Sequence, residues 1–156
     1  MKHIISVTVE NKFGVLARIA GLFSARGFNI SSLAVGETED PTISRMTIVV
    51  KGNDRILEQV KKQLNKLIDV ILVKDYVNKL HTDRELILFK VAITQDSKDN
   101  VLALLEQSSV DVIKVSPDDV AAQIVGEQDD IDKLFSKLEE FGIKEMMRTG
   151  RIAMEL

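Results

Sequence analysis

KHIISVTVENKFGVLARIAGLFSARGFNISSLAVG, residues 2–36, holds the pattern from which the fold follows. Residues 2–10 alternate, with Ile5, Val7 and Val9 on one face, which is the period of a half-buried strand. From Gly14 to Arg26 the apolar positions become Val15, Leu16, Ile19, Leu22 and Phe23, the stripe of an amphipathic helix. Gly27 predicts its stop, because glycine tolerates the left-handed conformation that ends helices. FNISSLAVG then reads as a second strand.

The rest of the chain continues the rhythm. PTISRMTIVV predicts a third strand, with Met46, Ile48 and Val50 sharing a face. Asn53 caps a helix carrying Ile56, Leu57, Val60, Leu64 and Leu67. IDVILVKDYV closes a β-α-β-β-α-β set. The polar stretch from Asn78 to Arg84 lacks apolar periodicity and reads as a linker. After it come the strand ELILFKVAI, a helix opened by Ser97, and the strands VDVIKVS and DVAAQIVG around Pro117. A helix with Ile131, Leu134, Phe135, Leu138 and Phe141 follows, stopped by Gly142, before an extended tail. The expected architecture is α+β, with two ferredoxin-like βαββαβ domains in tandem over 1–78 and 85–156 and residues 79–84 linking them. The repeat is one of architecture, since the two halves share little sequence.

With helices on one face of each sheet, the other face should be polar. ELILFKVAI instead sets Leu86 and Leu88 against Ile87, Phe89, Val91 and Ile93. IDVILVKDYV sets Val70 and Leu72 against Ile71 and Val73. A cover over the second faces is therefore expected, from domain packing, dimerisation or a partner.

Composition narrows the chemistry. The 156 residues carry a net charge of −3, and aromatics make up 4%, which argues against a nucleic-acid binder. Lys61, Lys62 and Lys66 read as a solvated helix face beside Glu58. No apolar run approaches the ~20 residues of a membrane span, and HIISVTVE is too polar for a secretory core, so a cytoplasmic protein is expected. With no cysteine, disulfides and thiolate catalysis are excluded. His3 and His81 lack ligand spacing, and Asp129, Asp130 and Asp132 suit a helix N-terminus better than a metal loop. No GxSxG, Walker A or GxGxxG pattern occurs, leaving no catalytic and no metal candidate.

One segment carries a binding argument: Glu10-Asn11-Lys12-Phe13-Gly14-Val15-Leu16-Ala17-Arg18. A strand ends, the chain turns through Gly14, and the first turn of the helix offers N–H groups to a carboxylate. Asn11 can donate and accept, as the zwitterion of an amino acid requires. On local sequence alone, a plain tight turn through Asn11 and Gly14 is the simpler reading.

ENKFGVLARIAGLFSARGFNISSLAVG, followed by ISRMTIVV, resembles the amino-acid-binding ACT domain of acetolactate synthase small regulatory subunits. RELILFKV, the Val110–Val112 strand and MMRTGRIAM resemble that family's C-terminal domain. The resemblance implies a non-catalytic subunit that activates a catalytic subunit holding thiamine diphosphate, Mg and FAD, with no cofactor of its own. It further implies feedback inhibition by a branched-chain amino acid, typically valine, in branched-chain amino acid biosynthesis. In the family, ACT domains pair as a homodimer and the effector lies between them. The matching positions are Asn11, Gly14, Val15 and Leu16 of one chain with Asn29 and Ile30 of its mate. Phe13 stands at a variable position, and Ala17 where some relatives have serine. A stand-alone ACT-type sensor or transcriptional co-regulator is the alternative, as is a small enzyme assembled from Asp and His residues.

Overall fold

The alternation of residues 2–10 becomes strand β1 (Lys2–Glu10) in the computed structural model, which describes residues 1–156. Helix α1 (Val15–Ala25), β2 (Ile30–Glu37), β3 (Ile43–Lys51), α2 (Asp54–Leu64) and β4 (Val70–Asp75) follow. The sheet order is β2-β3-β1-β4, all neighbours antiparallel, as a ferredoxin-like unit requires. Ile5, Val7, Val9, Met46, Ile48 and Val50 turn one sheet face toward Val15, Ile19, Phe23, Leu57, Val60 and Leu64 of the two helices. Asn53 caps α2 by accepting the Ile56 N–H at 3.1 Å. Past α1, Gly27 has φ +66°, and Phe28 N–H returns to the Phe23 carbonyl at 3.0 Å.

The second half repeats this with β5 (His81–Ala92), α3 (Lys98–Gln107), β6 (Asp111–Val115), β7 (Asp119–Gly126), α4 (Gln128–Leu138) and β8 (Ile143–Arg148). Its strand order, β6-β7-β5-β8, is the same. Ile87, Phe89, Val91, Val120, Ala122 and Ile124 face Val101, Leu105, Ile131, Leu134 and Leu138. Phe89 and Phe135 meet edge to face at 5.0 Å. Glu85, buried, accepts Nε and Nη2 of Arg148 at 3.0 and 2.5 Å, which raises the guanidinium's pKa further.

The structure redraws three local expectations. In β4 a bulge opposite Thr8 and Val9 makes Val70 and Val73 pack on the core and leaves Ile71 and Leu72 exposed, rather than splitting the four residues by strict alternation. The stretch expected as linker is already strand from His81, where backbone pairing replaces the missing apolar periodicity. Finally, the tail does not stay with the second domain. The chain divides into Met1–Thr82 with Arg151–Leu156, and Asp83–Gly150. A last strand, β9 (Ile152–Glu155), pairs with β5, and Leu156 N–H donates to the Leu80 carbonyl at 3.0 Å. No helix is long and apolar enough to cross a membrane.

Candidate functional site

At the end of β1 the backbone is pinned from two sides: Glu10 N–H donates to the Asp69 carbonyl at 2.9 Å and Asn11 N–H to the Thr42 carbonyl at 2.7 Å. The chain then turns through Gly14, whose φ of +81° and ψ of −4° are left-handed. Gly14 is the N-cap of α1 and brings no side chain to its first turn. No acidic residue sits in that turn either, so the positive end of the helix dipole is left for an outside anion.

Asn11 is exposed, and its Nδ2 donates to Glu37 Oε1 at 3.1 Å and to the Pro41 carbonyl at 2.9 Å. Both partners are acceptors, so the nitrogen faces them, both amide hydrogens are used, and Oδ1 remains to accept. Its donors are thus spent within the chain, and only an acceptor is left to offer outward. Val15 is buried in the core, with its N–H turned to the Lys12 carbonyl at 3.4 Å; Leu16 keeps a half-exposed side chain.

Asn29 and Ile30 are not at this end. Ile30 pairs with Val50, which pairs with His3, whereas Glu37 lies in register with Ser44 and Val9. The seven steps of β2 between Ile30 and Glu37 span about 23 Å. Within one chain the expected six residues therefore fall into two groups at opposite ends of β2. That strand is the sheet edge, bonded to β3 alone.

Two residues outside the expected set belong to the same corner. Arg18, one turn into α1, forms a charge-assisted hydrogen bond to the buried Asp69 carboxylate. Its Nη1 also lies 3.6 Å from where a Cβ on Gly14 would stand. The i,i+4 spacing from Gly14 was a readable signal for Arg18, but nothing in sequence ties it to Asp69. Lys12 Nζ meets Glu10 Oε2 at 2.6 Å, a bond that raises the lysine's pKa.

The other chemistry-bearing residues have local explanations. His3 is buried, with Nε2 3.1 Å from the Gly52 carbonyl, and His81 lies over Tyr76 with Nδ1 2.9 Å from the Lys79 carbonyl. Asp132 accepts the Gln128 amide at 2.6 Å, and Asp130 meets Lys133 at 3.4 Å.

Two family models match the chain. Residues 5–72 fit the acetohydroxyacid synthase small subunit-like ACT domain, and residues 84–156 fit the small subunit of acetolactate synthase. The acetolactate synthase small subunit of Aquifex aeolicus is 48% identical over 98% of this chain and 80% of that protein. A probable acetolactate synthase small subunit of Methanothermobacter thermautotrophicus is 47% identical over 97% of this chain and 91% of that protein. The crystal structure of the acetolactate synthase small subunit from Thermotoga maritima is 36% identical, with a TM-score of 0.88 over 100% of this chain and 98% of that one. With both halves matched and relatives similar along nearly its full length, the chain belongs to the acetolactate synthase small subunit family.

Proposed function

We propose that this chain is a regulatory subunit that binds valine, or a related branched-chain amino acid, between two copies of its N-terminal unit and adjusts the activity of an acetolactate synthase catalytic subunit. Thiamine diphosphate, Mg and FAD belong to that partner. The observation that supports the reading is the placement of two half-sites at opposite ends of an open sheet edge. If two β2 strands pair antiparallel about a two-fold axis, Asn29 and Ile30 of one copy arrive beside Asn11 and Gly14 of the other. The effector's carboxylate then meets the first-turn N–H groups of α1, its ammonium meets Asn11 Oδ1, and its side chain lies near Leu16 and the second copy's Ile30.

Regulation follows as linkage. An effector that touches two copies favours whichever arrangement of the pair completes its site, and changes affinity for the catalytic subunit by its differential binding. A coupling of ~1–3 kcal/mol corresponds to roughly 5–150-fold. In this reading the Asp83–Gly150 unit serves activation; Leu88, Ile113, Val125 and Met147 remain exposed on it.

The test is co-purification with the catalytic subunit, then assay with and without valine, beside calorimetry and sedimentation of the isolated chain. The expected outcome is a dimer that binds valine, activates the partner and makes it valine-sensitive. A monomer at micromolar concentration with or without valine, or full activity of the catalytic subunit untouched by this chain, would overturn the reading.

A further inference from the structure

On the sheet face away from the helices, the N-terminal unit presents Ser6, Thr8, Ser32, Arg45, Thr47, Lys74 and Tyr76. The last six residues of the chain cross this face. Arg151 N–H donates to Ser32 Oγ on β2 at 2.9 Å. Ile152 and Ala153 line a hollow with Ala34, Arg45 and Thr47. The Tyr76 hydroxyl donates to the Ala153 carbonyl at 3.2 Å, and Lys74 Nζ meets Glu155 Oε2 at 3.2 Å. Met154 and Glu155 line a second hollow with Ser6, Thr8 and Leu72. The segment thus runs from the edge strand β2 to β4.

We infer that this face is a peptide-binding site whose ligand is the chain's own segment Arg151–Leu156, and that docking of the segment is coupled to effector binding through β2. The coupling rests on the effector site proposed above; the docking does not.

Two features make the attachment reversible. The tail's large apolar side chains, Ile152, Met154 and Leu156, are at least 60% exposed, so the pairing of β9 with β5, a few further hydrogen bonds and a half-exposed ion pair hold it without an apolar anchor. Such contacts place a segment at the low-stability end of a structure. Gly150, at φ +85°, supplies a pivot just before it. The coupling has a short route: Ser32, which takes the Arg151 N–H, lies two residues after Ile30 and three after Asn29, on an edge strand held by a single neighbour. A docked tail ties down the strand that delivers the second half-site, and by reciprocity an effector holding that strand retains the tail.

Amide exchange measured by NMR on the full-length chain tests the docking. Arg151 and Leu156 N–H should exchange at least tenfold more slowly than in a free peptide of sequence RIAMEL; exchange at the free-peptide rate overturns it. Ser32→Ala and Tyr76→Phe, which keep the tail but remove its bonds, should speed that exchange severalfold. Calorimetry with valine tests the coupling. A chain ending at Gly150 should bind valine about five- to tenfold more weakly, as the loss of two or three modest bonds implies, and the two point variants should show a smaller weakening in the same direction. Added RIAMEL peptide should recover part of the loss. Unchanged valine affinity in the shortened chain and both point variants overturns the coupling. Absence of valine binding by the intact chain overturns the effector site instead, and the exchange result stands apart from it.

Discussion

The N- and C-terminal units share one strand order and one pattern of helix packing, yet they differ at the two places where such a unit can meet another molecule. The first is the turn from the first strand to the first helix. Neither helix has a side-chain cap, but in the N-terminal unit the turn passes through left-handed Gly14 and no acidic residue sits in the helix's first turn, where α3 carries Asp99. In the C-terminal unit it closes on itself: Ser97 Oγ accepts the Thr94 N–H at 2.9 Å, and Thr94 Oγ1 accepts the Ser97 N–H at 3.2 Å. The second place is the sheet face away from the helices. In the first unit it is hydroxyl-rich and crossed by the tail, whereas in the second Leu88, Ala121, Ile113 and Met147 surround a hollow of about 240 Å³. The same fold thus carries an uncapped glycine turn in one copy and an apolar surface in the other, a difference of side chains rather than of topology.

The sharpest way to break this comparison is Gly14→Asp. The left-handed φ of +81° imposes a strain of ~1–2 kcal/mol on any Cβ there. The new carboxylate repels the effector's own and stands near Arg18 Nη1, competing for it with buried Asp69. We expect valine affinity to fall more than thirtyfold by calorimetry, with activation of the catalytic subunit largely kept, since an aspartate suits the start of α1. Undiminished valine affinity would move the effector elsewhere.

The complementary change attacks the other unit. Deletion after Lys79 is a blunt tool, because it also removes Arg151–Leu156 from the N-terminal sheet. Leu88→Asp and Met147→Asp are cleaner, as both side chains are exposed and neither packs in the core. If the second unit serves activation through this face, either variant should lower activation about tenfold while leaving valine binding within twofold. Full activation by both would assign the face another role.

Much of this arrangement was legible in sequence, and the exceptions have physical causes. Alternation and helical spacing carried the strands, helices and core, because burial on one face forces that periodicity. The bulge in β4 was hidden: VILV is apolar at every position, so nothing marks the extra residue that turns both Val70 and Val73 inward. Ser97 was expected to open α3 and does so as its N-cap residue, with its hydroxyl accepting the Thr94 N–H rather than one of the helix. The return of Arg151–Leu156 to the first unit is a long-range event that local pattern cannot encode. At the candidate site, Gly14 and Asn11 were readable from a turn motif, whereas the Arg18–Asp69 pair joins residues 51 apart.

A milder test of the two-copy site is Asn29→Ala. Asn29 is exposed and lies beyond α1, so its loss should barely change the stability of a single copy. It would remove a hydrogen bond to a charged ligand without adding repulsion, worth ~1.5–3 kcal/mol. At the low end of that range valine affinity should drop about tenfold. A mixture of Asn29→Ala and Gly14→Asp chains should regain some sites of intermediate or normal affinity, because a mixed dimer keeps one site with both native halves. No recovery in the mixture would argue that each site is built within one chain.

The smallest expected effect concerns what holds β4 in the N-terminal unit. Lys61 Nζ, at the end of α2, meets Asp75 Oδ2 at 2.7 Å and Glu58 Oε1 at 2.9 Å. Hydrogen bonds to these carboxylates raise the lysine's pKa against its partial burial. Burial pushes the Asp75 carboxyl up, but the hydrogen bond and charge of Lys61, with the Val77 N–H, hold it below its ordinary value. The depressed carboxyl contributes stability above its unfolded pKa of about 3.9, lost as pH falls through the lower folded value. The raised lysine contributes below its unfolded pKa of about 10.4, lost as pH rises through the higher folded value. Lys61→Met should therefore cost about 0.5–1 kcal/mol between pH 5 and 9, lowering the melting temperature by about 2–6 °C. The difference from wild type should vanish well below pH 3.8, the ordinary value for an aspartate. The Asp83–Gly150 unit lacks this pair, so a melting difference that persists unchanged at pH 2 would show that Lys61 acts through packing of its stem instead.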